Sequence, residues 1–212
     1  IRDSPVTAYG RSKVATEEAV KKIADDNFSP TFLRNATAYG HSCRIRFDLV
    51  INNLVAWAMT TKSIFIKSDG TPWRPVVHIE DISRAFIAAL EADRAKVHNE
   101  SFNIGRNDQN YQVRQIADLV KASITDANVD YAADGEPDKR SYRVDFSKVN
   151  DVLPEFQPQW TVAKGVEELK GILTAHEIVV EEIEGERYQR VAQIRGLIGQ
   201  GVLDDTLRTI AI

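Results

Sequence analysis

The 212-residue sequence predicts an α/β or α+β fold, because segments with the pattern of helices alternate with segments of strand length. The helical segments place apolar residues three and four positions apart, whereas the strand segments are short apolar runs bounded by polar turns. With 43% hydrophobic and 27% charged residues, the chain has enough apolar side chains for a buried core. This composition excludes a disordered or collagen-like chain.

The individual elements are predicted from these patterns in chain order. Residues 9–26 are rich in helix formers and place Val20, Ile23 and Ala24 beside charged side chains, which predicts an amphipathic helix. Further helices are predicted at residues 47–61, 82–90, 113–124 and 162–173, and in the remainder of the chain to residue 212. Strands are predicted at residues 31–34, 64–66, 76–79, 101–104, 129–132 and 142–146, and residues 35–44 are predicted to form a polar loop.

Charge and cysteine content narrow the expected environment and partners. The net charge of −4 offers no electrostatic basis for binding nucleic acid or anionic lipid. No apolar run approaches the roughly 20 residues that a transmembrane helix needs, and no signal-peptide pattern opens the chain. The single cysteine, Cys43, cannot form an internal disulfide, and the four histidines show no spacing typical of metal ligands. We therefore expect a cytoplasmic protein with small-molecule or protein partners, and without a nucleic-acid, membrane or metal partner.

Tyr9 and Lys13 form a Y-x-x-x-K pattern at the start of the first predicted helix. Positions i and i+4 share a helix face, so the phenol and the ammonium group can converge on one reacting atom. A tyrosine phenol ordinarily ionises only near pH ~10, and a nearby cation favours the phenolate that could act as a base. Such a pair could remove a proton from an alcohol while a hydride leaves the carbinol carbon. On its own, however, the pattern is more often a surface tyrosine beside a solvated lysine.

Other segments make the pattern more specific. These are residues 4–13 (SPVTAYGRSK), 30–34 (PTFLR), 38–40 (AYG), 69–81 (DGTPWRPVVHIED) and 102–105 (FNIG). Their order and spacing resemble the extended short-chain dehydrogenase/reductases, and more narrowly the NAD-dependent nucleotide-sugar epimerase/dehydratase group. The resemblance runs from residue 4 to about residue 173. It implies NAD as the cofactor with NADP as the alternative, a nucleotide-diphosphate sugar as the substrate, and a homodimer as one possible assembly.

The resemblance also implies roles for residues near the cofactor. Tyr9 would be the catalytic acid/base, and Lys13 would donate a hydrogen bond to the nicotinamide ribose. Phe32 and Leu33 would lie against the nicotinamide.

Three further residues would bind the substrate. Asn53 falls where the family contacts the nucleotide diphosphate, and Arg74 and Arg140 would pair with phosphate oxygens through their planar guanidinium groups. His78 and Asp81 correspond to family residues that join a strand to the following helix.

The sequence departs from the family pattern in several places. Residues 37–41 read TAYGH where many relatives have N-x-Y-G-P, and residues 133–137 lack an arginine that many relatives carry. The family's G-x-x-G-x-x-G phosphate loop is not found before Tyr9. Residues 196–201 (GLIGQG) follow a helix-like segment instead of a strand, which predicts a helix end and a turn. We therefore expect a fragment that lacks the glycine-loop half of the fold, binds NAD poorly on its own and is inactive alone.

The implied domain organisation is the C-terminal part of a Rossmann-like doubly wound sheet with a smaller α/β lobe. Residues 1–40 and 76–105 would form the remaining NAD-binding domain, residues 41–75 and 106–170 the nucleotide-sugar lobe, and residues 171–212 a helical C-terminal segment. The function implied for the parent protein is an NAD-dependent nucleotide-sugar epimerase. A dehydratase or reductase of the same family is the alternative, and a non-catalytic binding or oligomerisation module is the alternative from another class.

Overall fold

The computed structural model describes residues 7–132 and 141–210 and confirms the α/β class. The helices in these ranges are α1 (Ala8–Lys21), α2 (Val50–Thr61), α3 (Ile79–Glu91), α4 (Arg94–Val97), α5 (Val113–Ser123), α6 (Ser147–Val152), α7 (Val162–Ala175), α8 (Val180–Ile183) and α9 (Arg190–Gly199). The strands are β1 (Phe32–Asn35), β2 (Thr37–Tyr39), β3 (Ser63–Ile66), β4 (Trp73–His78), β5 (Ser101–Ile104), β6 (Asn110–Gln112) and β7 (Asn128–Tyr131). β1 pairs with β5, β3 pairs with β7, and the remaining strands are ordered β2–β4–β6.

The described residues belong to two compact units. Unit 1 is drawn from Ile1–Ala38, Pro72–Tyr111 and Asp138–Trp160, and unit 2 from Tyr39–Thr71, Gln112–Pro137 and Thr161–Ile212. Each unit combines segments that are far apart in the sequence, so each core depends on long-range contacts.

Unit 1 is built around the parallel pair β1 and β5, in register from Phe32 opposite Ser101 to Asn35 opposite Ile104. Parallel neighbours require a crossover connection, and here the chain between them contains α3 and α4. The core of the unit consists of buried side chains from β4, β5, α3, α6 and the segments beside them, among them Phe102, Phe146 and Phe156.

Unit 2 repeats this arrangement with the parallel pair β3 and β7, in register from Ser63 opposite Asn128 to Ile66 opposite Tyr131. Helices α2, α5 and α7 pack together beside this pair, and each contributes fully buried apolar side chains such as Ile51, Ile116 and Leu169. None of the helices in the described ranges is long and apolar enough to span a membrane.

The structure corrects the prediction of a strand at residues 142–146, where it has no regular secondary structure. Asparagine side chains bind this backbone in place of a neighbouring strand. The amide of Asn110 both accepts from the Val144 N–H at 2.9 Å and donates to the Val144 carbonyl at 3.1 Å, while Asn107 accepts from the Phe146 N–H at 2.8 Å. These contacts satisfy the backbone without a ladder.

Three smaller differences concern element boundaries. The first helix ends at Lys21 instead of near residue 26, because the Asp25 carboxylate accepts from the backbone of Asn27 and Phe28 and forms a turn. The predicted loop at residues 35–44 contains the short strand β2. The predicted helical remainder after residue 173 consists of α8 and α9 joined by turns, and the glycines at 196–201 form the helix end and turn that were predicted.

Candidate active site

Tyr9 and Lys13 lie at the beginning of α1 in unit 1. Thr7 caps this helix by accepting a hydrogen bond from the Gly10 N–H at 3.1 Å, so the helix starts at Ala8 and Tyr9 falls in its first turn. The Lys13 ammonium nitrogen is 5.4 Å from the centre of the Tyr9 ring, within the range of a cation–π contact. Tyr9 is 71% exposed, so its phenol is accessible to a ligand.

Glu17 fixes α1 against the strands of unit 1. Its carboxylate accepts hydrogen bonds from two guanidinium nitrogens of Arg34 on β1, Nε at 2.8 Å and Nη2 at 2.9 Å, and from the hydroxyl of Ser101 on β5, at 2.6 Å. Lys21, one helical turn further on, lies 2.7 Å from the same carboxylate. Although partial burial alone would raise the pKa of Glu17, the hydrogen bonds from Arg34, Lys21 and Ser101 lower it from 4.5 to about 2.

The contacts of α1 also show its direction relative to β1. Near the end of α1, the Lys21 ammonium lies 5.3 Å from the centre of the ring of Phe32, the first residue of β1. One turn earlier in the helix, Glu17 binds Arg34, which comes later in the strand. The helix and the strand therefore run in opposite directions. Tyr9 precedes Glu17 by about 12 Å of helix, so it extends past the carboxyl end of β1.

This direction separates the residues that the resemblance assigns to the cofactor. Phe32 lies at the end of β1 that is farther from Tyr9. Leu33 points to the side of the strand that faces away from α1, where it packs against the core. The strand residues closest to the Tyr9 end are instead Asn35 and those that follow it. The general rule that ligands bind at the carboxyl ends of parallel strands could have indicated this position from the sequence.

Arg74 lies at the start of β4, also in unit 1, and is half-buried with its guanidinium donating to the Trp73 carbonyl at 2.8 Å. The chain segment at residues 141–143 lines this end of the strand. The Ser141 hydroxyl accepts from the Trp73 N–H at 3.0 Å, and the Arg143 guanidinium stacks on the Trp73 indole at 4.7 Å. Arg143 therefore brings a second cation next to the Trp73–Arg74 step, and the sequence analysis did not single it out.

The other two predicted substrate residues are placed differently. Arg140 lies outside the described residues. Asn53 lies in the first turns of α2 in unit 2, where its side-chain amide donates to the Phe47 carbonyl at 2.8 Å. The neighbouring Asn52 is 1% exposed and binds both backbone groups of Gly40, so it holds Gly40 against α2.

His78 joins β4 to α3 as predicted, whereas Asp81 binds the segment before α7. His78 caps α3 and stacks on Trp160 with 3.7 Å between ring centres. Asp81, 1% exposed, accepts the backbone N–H groups of Gln159 and Trp160 at 2.9 Å each, as well as a hydrogen bond from Arg84. These contacts join the start of α3 to the segment before α7. Within the described ranges, no group of three or more histidine, cysteine, aspartate or glutamate side chains could hold a metal ion.

Comparison with known proteins decides the family. Residues 1–105 match the family model of the NAD dependent epimerase/dehydratase family. The chain belongs to this family. The matched region includes the Tyr9–Lys13 pair and ends directly after β5.

Relatives within the epimerase/dehydratase family match a larger part of the chain. A UDP-glucuronate 4-epimerase from Thermodesulfobacterium geofontis is 27% identical over 166 residues, which is 77% of this chain and 49% of that protein. The crystal structure of UDP-glucuronic acid 4-epimerase from Bacillus cereus, in complex with UDP-glucuronic acid and NAD, is 25% identical with a TM-score of 0.67, over 82% of this chain and 54% of that one. The epimerase Mth375 from Methanothermobacter thermautotrophicus has a TM-score of 0.71 at 22% identity, over 82% and 52% of the two chains, and shows the shared fold. The chain thus spans about half the length of these relatives.

Proposed function

We propose that this chain carries the acid/base pair of an NAD-dependent nucleotide-sugar epimerase, with Tyr9 as the proton-transferring group. The observation that carries the proposal is the placement of Tyr9 and Lys13 together in the first turns of α1, beyond the carboxyl end of β1. Family membership and the UDP-sugar 4-epimerases among the relatives support the same activity.

Tyr9 would accept the proton of a sugar hydroxyl as the carbon is oxidised and return it to the same oxygen when the carbon is reduced. The accessible phenol supports this role, because a general base must come within hydrogen-bond distance of the proton it removes. Lys13 would place its ammonium group beside the proton-transferring side chain, 5.4 Å from the centre of the Tyr9 ring. Arg74 would bind phosphate oxygens through its planar guanidinium group.

The residues at this site suit a nicotinamide cofactor. Lys13 is exposed and offers an ammonium donor for ribose hydroxyls, and the backbone from Asn35 onward provides a surface at the strand ends, where dinucleotides bind in open α/β sheets. When bound, NAD would accept a hydride from the sugar carbon and return it. Tyr9 would take the proton from the oxygen on that carbon when the hydride leaves and give it back when the hydride returns.

We extend the proposal to the two units and to the assembly. Unit 1, which contains Tyr9, Lys13 and Arg74, would hold the cofactor and the reacting carbon, and unit 2, which contains Asn53, would contribute to the nucleotide-sugar lobe. None of the 14 residues of α1 is buried, so this helix offers a face for a second copy of the chain. Sedimentation velocity tests the homodimer, and a monomer at all concentrations would contradict it.

The experiment that tests the function uses a substrate labelled at the reacting carbon. The parent protein that contains this chain is incubated with NAD and with UDP-glucuronate carrying deuterium at C4, and the products are analysed by NMR and mass spectrometry. The proposal predicts the 4-epimer with deuterium retained, because the hydride leaves and returns without exchange. A product lighter by one water would show a dehydratase, and the absence of any conversion would favour a non-catalytic module; both results contradict the epimerase.

A further inference from the structure

A cavity of about 360 Å³ lies within unit 2. One wall is the loop at residues 41–47 that precedes α2, and the other is the end of α7 with the segment that follows it to Tyr188. Its volume falls within the range of about 300–1,000 Å³ that is typical of small-molecule sites. Among the described residues, the lining contains none of Tyr9, Lys13, Asn53 or Arg74.

The inner surface of the cavity is aromatic and aliphatic. The fully buried Phe47 ring lies 4.8 Å from the Tyr188 ring, tilted by 54°. Ile45, Ile172 and Leu173 extend this surface on both walls. An apolar ring or a branched aliphatic group would be removed from water by contact with these side chains.

The polar part of the lining is cationic. The charged side chains of the lining are Arg44 and Arg187, and no carboxylate lines the cavity within the described residues. The Arg44 guanidinium donates to the neutral amide of Gln193 at 3.1 Å, so this contact leaves its positive charge uncompensated. Arg187 pairs with Glu182 at 2.8 Å, but its side chain is 70% exposed, and an exposed pair of this kind contributes little stability and can exchange partners.

We propose that this cavity binds a small organic anion, namely a carboxylate or phosphate carried by an aromatic or branched apolar group. The apolar surface would take the body of the ligand, and Arg44 would bind its charged group through two parallel N–H donors. One wall of the cavity, from Ile172 to Tyr188, lies outside the residues that match the epimerase/dehydratase family model. The site is therefore a feature of this chain that the family match does not account for, and it does not depend on the proposed epimerase activity.

Cys43 supplies a local reporter for the test, because it is the only cysteine in the chain, is exposed and lines the cavity. The reaction of this thiol with 2,2′-dithiodipyridine is monitored through the thiopyridone that it releases. Phenyl phosphate or benzoate is added at concentrations up to about 10 mM, the range of weak small-ligand binding. The proposal predicts that at least one of these anions slows the reaction at least fivefold and with saturation. The more protective anion distinguishes a phosphate from a carboxylate ligand. Neutral phenol and inorganic phosphate, which each lack one half of the ligand, should give no saturable protection.

Two matched substitutions locate the effect. Arg44→Gln should raise the half-protecting concentration at least fivefold, whereas Arg195→Gln, which removes an exposed arginine of α9 outside the lining, should leave it unchanged. Circular dichroism confirms that both variants fold. Protection by neither anion, equal protection by phenol, or an unchanged half-protecting concentration in Arg44→Gln would each overturn the proposal.

Discussion

Glu17 connects α1 to both strands of the parallel pair in unit 1, so its replacement by glutamine tests how α1 is held against these strands. The fall in the pKa of Glu17 from 4.5 to about 2 corresponds to about 3 kcal/mol at 1.36 kcal/mol per pKa unit. The Arg34 and Lys21 side chains are 40% and 37% exposed, and solvent screening of these partners reduces the expected effect to about 1.5 kcal/mol. Glu17→Gln should therefore lower the free energy of unfolding by about 1.5 kcal/mol at pH 7.

The pH dependence makes this prediction specific. Because the folded-state pKa is depressed, the contribution of Glu17 is complete above pH 4.5 and is lost as the pH falls toward 2. Urea denaturation of the original protein and of Glu17→Gln, measured from pH 7 to pH 2.5, should give curves that converge at the acid end. Glu18→Gln, at the exposed neighbouring position, serves as the control and should change stability by less than about 0.5 kcal/mol. If the original protein and Glu17→Gln have the same free energy of unfolding at pH 7, or if their difference stays constant down to pH 2.5, the proposed role of Glu17 is wrong.

Three further substitutions test other parts of the account. Asp81→Asn should lower the free energy of unfolding by about 2–4 kcal/mol in urea denaturation, because the buried carboxylate accepts two backbone N–H groups and the amide has only one acceptor oxygen. A loss below about 1 kcal/mol would contradict this. Arg74→Ala should raise the Kd for a nucleotide-diphosphate sugar about 10- to 100-fold by calorimetry, the effect of a lost charged hydrogen bond, and an unchanged Kd would remove Arg74 from the site. Gly70→Ala should lower the free energy of unfolding by about 1–3 kcal/mol, since the backbone φ is +75° and an added Cβ would lie 2.9 Å from the Tyr131 ring. A thermal midpoint equal to that of the original protein would contradict backbone strain at residue 70.

The sequence predicted most helices to within a few residues, because apolar side chains at helical spacing report which face of a helix is buried. Apolar residues at this spacing located α2, α3, α5 and α7. The strand prediction for residues 142–146 was wrong. Apolar residues alternate there as in a strand, but Asn107 and Asn110 bind the backbone. Side-chain amides from a distant segment leave no periodic signal in the sequence.

The candidate site was predictable only in its local part. The i, i+4 spacing of Tyr9 and Lys13 is a property of one helix, so the sequence contains it. The role of Glu17 depends on α1 meeting β1 and β5, and the stacking of Arg143 on Trp73 joins positions 70 residues apart. These long-range contacts also determine which end of β1 lies near Tyr9, and residue spacing alone does not reveal it.

The role of Tyr9 in proton transfer is tested most directly by the turnover number of Tyr9→Phe in the parent protein that contains this chain, measured together with the Kd for NAD. Phenylalanine keeps the ring beside Lys13 and removes only the hydroxyl that would transfer the proton. We predict a fall in kcat of about 10²- to 10⁴-fold with the Kd for NAD changed less than about threefold, whereas Tyr131→Phe retains normal turnover. A kcat for Tyr9→Phe within about threefold of the original enzyme would contradict the assignment of Tyr9 as the acid/base.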